Sequence, residues 1–165
     1  MVAPDLDVLF CGVNPGRWSG AVGHHFAHPG NRFWKALYLA GFTPRQLDPS
    51  EERLLLDERI GITNLVRRTT ATAGDLDPAE LREGAAALER KVRELRPKSV
   101  VFLGMGAFRV AFRRPRARSG RQPELLADAV VWLLPNPSGL QATYGLDELV
   151  EQLREVRAFL RAPSG

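Results

Sequence analysis

Four short apolar runs punctuate the chain, at about 7–12, 60–66, 99–104 and 129–135. The purest are Val8-Leu9-Phe10-Cys11 and Val130-Val131-Trp132-Leu133-Leu134. A run of that length with no polar alternation, closed by turn residues, predicts a strand buried on both faces. The intervening segments repeat at helical spacing instead. Residues 31–40 carry Phe33, Trp34, Leu37 and Tyr38 on one stripe, and residues 146–160 carry Leu149, Leu153, Val156 and Leu160. Residues 78–95 predict the longest helix, with Pro78 in its first turn, Glu80 close behind and Pro97 past its end. Ser50 is expected to open another, with Glu51 and Glu52 in its first turn. A shorter one follows Gly106 and stops before Pro115. Strand and helix alternate, so the expectation is an α/β fold: a three-layer α/β/α sandwich around a short, mainly parallel central sheet. No repeat or linker breaks the 165 residues, which read as one domain with tails at about 1–6 and 162–165.

In such a fold, ligands bind at the carboxyl ends of the strands. The loops at 13–30, 66–77, 104–107 and 136–145 should all open there. Two of them hold the same turn: Gly12-Val13-Asn14-Pro15-Gly16 after the first strand, and Pro135-Asn136-Pro137-Ser138-Gly139-Leu140 after the last. Taken singly, each is ordinary Asn-Pro turn chemistry. Two on one ligand edge predict a single site assembled from both ends of the chain. Leu140 is a large apolar residue at a polar loop tip, which suits a wedge that enters a base stack as a base leaves.

Composition narrows the chemistry. The apolar fraction is 44%, enough for a full core. Cys11 is the sole cysteine and lies inside an apolar run, so it reads as a core thiol. One cysteine supports neither a disulfide framework nor a thiolate metal centre, and a reducing, cytoplasmic setting is expected. No leader pattern or bilayer-length apolar stretch is visible, so no membrane role is expected. Net charge is +4 and the pI about 9.8. The sharpest excess is Arg113, Arg114, Arg116, Arg118 and Arg121. Guanidinium groups chelate phosphate, and a basic patch is the footprint of nucleic-acid binding, although a solvated loop would look the same.

Two other motifs carry less. Gly104-Met105-Gly106 follows a strand, but Arg109 stands where a dinucleotide fingerprint needs its third glycine. These glycines read as close strand-to-helix packing. His24, His25 and His28 share a loop with Gly and Pro and have no ordered Cys or carboxylate partner, so no metal is expected.

The two loop motifs carry a family resemblance. GVNPG resembles the first motif, G-I-N-P-G, of the mismatch-specific uracil/thymine DNA glycosylases of the uracil-DNA glycosylase superfamily. NPSGL resembles their second, and HPGNRFWKALYLAGFTPRQL and GITNLVRRTT resemble the segments between. The likeness runs from about Val8 to Leu160. It implies cleavage of the N-glycosidic bond of a flipped uracil, or of thymine or another 5-substituted pyrimidine, opposite guanine. No cofactor or metal is implied. The implied partner is double-stranded DNA with a G:U or G:T mismatch, met by a monomer.

Carried over, Asn14 would position the attacking water. Val13, Ser19, Phe26, Asn31, Asn64 and Thr70 would form the base pocket, with Phe26 stacked on the base and Thr69 nearby. Asn136, Ser138, Gly139, Leu140 and Gln141 would wedge into the duplex and read the widowed guanine. Arg118 and Arg121 would hold phosphate. Related bacterial chains commonly follow the wedge with Ser and Arg; here stand Gln141 and Ala142, and Arg118 or Arg121 would compensate. Asn64 and Gly23-His24-His25 look closer to the eukaryotic thymine-DNA glycosylase branch.

The chemistry agrees. Extrusion costs least at a mismatch. An Asn amide orients water but accepts protons poorly, so bond breaking must run ahead of attack. Backbone N–H donors would then stabilise charge on the leaving base. Neither motif presents a lysine, which favours water over a Schiff base. The rival readings are a non-catalytic mismatch or abasic-site DNA-binding protein, and a nucleoside-cleaving enzyme indifferent to salt.

Overall fold

The computed structural model describes residues 1–138 and 145–163. Five strands form one sheet in the order β2-β1-β3-β5-β4: β1 Val8–Gly12, β2 Ile60–Asn64, β3 Ser99–Leu103, β4 Gly120–Arg121 and β5 Val130–Leu134. The four long strands run parallel, and β4 pairs antiparallel to β5. Six helices cover it: α1 Arg17–Val22, α2 Phe33–Leu39, α3 Leu54–Asp57, α4 Pro78–Leu95, α5 Met105–Ala111 and α6 Leu146–Arg161. The three-layer α/β/α fold is as expected.

Side-chain parity along the strands divides the core. Val8, Phe10, Val101, Leu103, Trp132 and Leu134 face α2 and α6. Leu9, Cys11, Val100, Phe102, Val131 and Leu133 face α4 and α5. Both faces are buried, which is why the strand sequences show no polar alternation. Helix α4 begins at a capping box between Asp77 and Glu80 with Pro78 in the first turn. It buries Leu81, Gly84, Ala85, Leu88 and Val92. A Cβ on Gly84 would collide with the Leu65 carbonyl, so the missing side chain sets how closely α4 approaches the loop after β2.

Several local expectations change. Ser50 does not open a helix: Asp48 caps a 3-10 turn, Pro49–Glu51, and α3 starts only at Leu54. Pro49 starts the turn, and the Asp48 carboxylate takes the Ser50 N–H. On α2, Ala36 is buried and Tyr38 exposed, which rotates the apolar stripe. The 1–6 segment is docked rather than frayed: Ile62 N–H donates to the Met1 carbonyl, Asp5 N–H to Leu95, and Leu6 is buried. Gly104, at φ +153°, makes room for the loop after β1 rather than for strand-to-helix packing, since a Cβ would lie 2.7 Å from Val13 Cγ2. Gly106 makes room for neither, because a Cβ there would meet open space. Among the described residues, no helix is long and apolar enough to cross a membrane.

Candidate active site

The chain leaves β1 to build β2 on one side and then returns to build β3 on the other. The crevice at the carboxyl ends of β1 and β3 is therefore the topological switch point, where open α/β sheets bind ligands. A cavity of about 770 Å³ occupies that edge. Its wall draws Val13 and Asn14 from the end of β1, Asn64 from β2, Leu103 from β3, and Asn136 and Ser138 from the loop after β5. Ser19, Phe26, Asn31 and Thr70 complete the set. The two Asn-Pro loops do converge. A second cavity, under Phe108 and Phe112, is about 10 Å³, too small for a ligand.

Asn14 is held by its amide. Nδ2 donates to the Arg68 carbonyl at 2.8 Å and to Thr70 Oγ1 at 2.7 Å. Thr70 Oγ1 donates in turn to the Thr72 carbonyl at 2.6 Å, and its N–H donates to the Pro15 carbonyl. Both amide hydrogens are used, so Oδ1 is the polar atom left for the cavity. Behind this pair, the Arg68 guanidinium grips the Glu80 carboxylate in a fork, at 2.9 and 2.8 Å. Arg68 also holds the Glu80 carboxyl below its ordinary range, aided by the Asp77 N–H.

Phe26 adopts φ +51°, a left-handed conformation that costs a non-glycine residue about 1–2 kcal/mol. Its flanks hold it there. On one side, His25 N–H donates to Glu52 Oε2 at 2.8 Å, and the Trp34 indole N–H donates to the His25 carbonyl. On the other, Ala27 N–H donates to Ser19 Oγ at 3.0 Å. The ring lies 4.4 Å from that of Phe33. A Cβ on Gly12 would come within 2.7 Å of Asn64 Oδ1 and 3.2 Å of the Phe26 ring, so Gly12 makes room for both.

Asn31 Oδ1 accepts the Phe33 N–H at the start of α2. Asn136 Oδ1 accepts the Ser138 N–H at 3.0 Å, and Arg32 N–H binds the Pro137 carbonyl, tying the second loop to α2. Gly139, Leu140 and Gln141 lie outside the described residues. Thr69 packs against Gly20 and does not line the cavity. Arg118 and Arg121 are also absent from the wall. Arg118 precedes β4 at the same sheet edge, whereas Arg121 sits lower, its guanidinium 4.8 Å from the Phe159 ring centroid.

The histidines are divided among separate tasks. His24 Nδ1 lies 3.5 Å from Glu52 Oε1, burial pushes the His25 pKa down, and His28 Nδ1 accepts the Gly30 N–H. Burial, the largest cause, pushes the Cys11 thiol up to about 12, which keeps it protonated and unreactive.

A family model, that of the Uracil DNA glycosylase superfamily, matches residues 1–161. The chain belongs to this superfamily. Its members are DNA glycosylases, hydrolases that act on DNA. The large cavity at the switch point is the candidate site for that activity. Sequence reasoning missed several residues that shape it. Glu52 and Arg32 tie loops together from a distance, and only a register between distant segments would have revealed them. Arg68 falls in a stretch read simply as a long loop. Trp18 belongs to α1, a helix expected as loop because it buries none of its residues.

Proposed function

We propose that the chain is a monofunctional, mismatch-specific uracil-DNA glycosylase that hydrolyses the N-glycosidic bond of uracil paired with guanine, as the opening step of base excision repair. The observation that carries this is the Asn14 amide. With both Nδ2 hydrogens engaged by Arg68 and Thr70, Oδ1 is fixed as an acceptor for water in the cavity that Phe26 also lines.

An amide oxygen accepts a water hydrogen bond but does not take the proton early. The C1′–N1 bond therefore breaks largely before water attacks, leaving an oxocarbenium-like sugar and an anionic pyrimidine. The electron pair of that bond departs with the base. Water adds to C1′, and its proton is lost as the abasic sugar forms. Phe26, locked by its flanking hydrogen bonds, stacks on the extruded base. Backbone N–H groups beside Val13 and Phe26 stabilise charge on its oxygen. Among the described residues no lysine lines the cavity, which supports water rather than an amine as the nucleophile. The Asn136–Ser138 turn faces the partner guanine.

Ser19 spends its hydroxyl on Ala27 and presents a small side chain, which leaves space for a 5-methyl group. An apolar pocket discriminates a methyl by about 1–3 kcal/mol. Thymine opposite guanine is thus a slower substrate of the same site.

Single-turnover excision on duplexes holding one G·U, G·T or A·U pair tests this, with Asn14→Ala beside the wild type. The expected order is G·U fastest, G·T about 10- to 100-fold slower and A·U weak. Asn14→Ala should lose at least about a hundredfold in rate while binding DNA within a few-fold. Equal rates on G·U and A·U would remove the mismatch preference. Tight binding with no abasic product in any lane would make the protein a sensor.

A further inference from the structure

Trp18 lines the cavity and has no part in the proposed chemistry. Its indole is 51% exposed, whereas Trp34 and Trp132 are 4% and 6% exposed. It stands on α1, which contributes no residue to the core. Its position is fixed by a neighbouring ring. The His28 ring meets it edge to face at 5.6 Å between centroids and 72° between planes. His28 is itself pinned, because its Nδ1 accepts the Gly30 N–H at 2.9 Å.

The cavity is also large. At about 770 Å³ it falls within the range that holds drug-sized ligands, far more than one pyrimidine ring fills. Phe26 and Asn64 both lie against Gly12 at the end of β1, and Trp18 lines the same cavity from α1. Arg17 is exposed beside it, on a chain of net charge +4. An ordered aromatic beside a cation, continuous with a nucleic-acid cavity, matches the stacking platforms that bind unpaired bases.

We infer that Trp18, braced by His28, is a second stacking platform, which takes an unpaired base of single-stranded DNA next to the flipped nucleotide. This rests on the glycosylase reading of the same cavity. It makes the protein a binder of opened or single-stranded DNA as well as of duplex.

The test uses the full chain and a short oligothymidylate, which contains no uracil and is not turned over. The exposed indole supplies the readout. Oligothymidylate should quench wild-type emission saturably, and Trp18→Phe should bind within about threefold yet show no such quench. Trp18→Ala should bind the single strand about tenfold more weakly and a matched duplex within twofold. Circular dichroism melting checks that both variants are folded. Unchanged emission, or equal single-strand affinity of Trp18→Ala and wild type, overturns the platform. If G·U excision proceeds in that case, the glycosylase reading stands without it. Quenching without any excision would support the platform and overturn the catalytic reading.

Discussion

Both hydrogens of the Asn14 amide are engaged by partners 54 and 56 residues away in sequence. The Asn-Pro turn is visible in the chain, but the groups that choose its amide rotamer are not. They sit where β2 gives way to α4, and the Arg68 side chain anchors them on Glu80. That anchor titrates. Arg68 depresses the Glu80 pKa, so the pair contributes fully above the ordinary value of about 4.5 and is lost as pH falls through the lower folded value. Both side chains are substantially exposed, so the effect on stability is small and the expected effect is on rate. Glu80→Gln should slow G·U excision a few-fold at pH 7. The gap between variant and wild type should close in acid below pH 4.5, as the wild type protonates. Equal rates for Glu80→Gln and wild type at pH 7 in single-turnover assays would detach Glu80 from Asn14.

Among the elements, those with continuous burial were readable. β1, β3 and β5 are apolar because both sheet faces are covered, and α4 carries its cap, its proline and its apolar spacing in plain sequence. Elements without burial were not. α1 buries nothing and holds a glycine, and β4 is two residues whose pairing with β5 depends on the tertiary fold. The convergence of the two Asn-Pro loops followed from parallel topology alone. The left-handed Phe26 did not, since glycine is the usual signal for that conformation and its flanking contacts supply the constraint here. Gly84 tests such close packing. Alanine would improve intrinsic helix propensity by about 1 kcal/mol. Its Cβ would strike the Leu65 carbonyl, and overpacking costs about 1–3 kcal/mol or more against backbone. Gly84→Ala should lower the urea midpoint despite the better helix former. The buried Cys11 thiol, labelled only on unfolding, provides a second readout. An unchanged or raised midpoint would show that α4 can shift away freely.

At the scale of the whole molecule, the cavity and Arg118, which precedes β4, share the carboxyl edge of the sheet. Arg114 is paired with Glu124, and Arg121 covers Phe159. Arg113, Arg116 and Arg118 are exposed, and the ion pairs of the described residues include none of them. These three are expected to meet phosphate. Binding to a G·U duplex should therefore weaken steeply with salt, and replacing the three with alanine should flatten the log–log slope by about two to three. Replacing Arg121 alone should change the slope little. The opposite ranking, measured by anisotropy across a salt series, would put the phosphate contact on the flank of the molecule.

The docked start of the chain bears on how copies of the protein meet one another. Ile62 N–H points outward from β2, and the Met1 carbonyl satisfies it. β4 lies along the other margin of the sheet, against β5. Unsatisfied strand margins are templates on which another molecule can add a strand. Here a carbonyl of the first residue and a two-residue strand act as guards against self-templating. Loss of the first few residues would strip Met1 and Ala3 from the core they pack against and uncover a sticky rim, so shelf life in concentrated solution depends on residues remote from the chemistry.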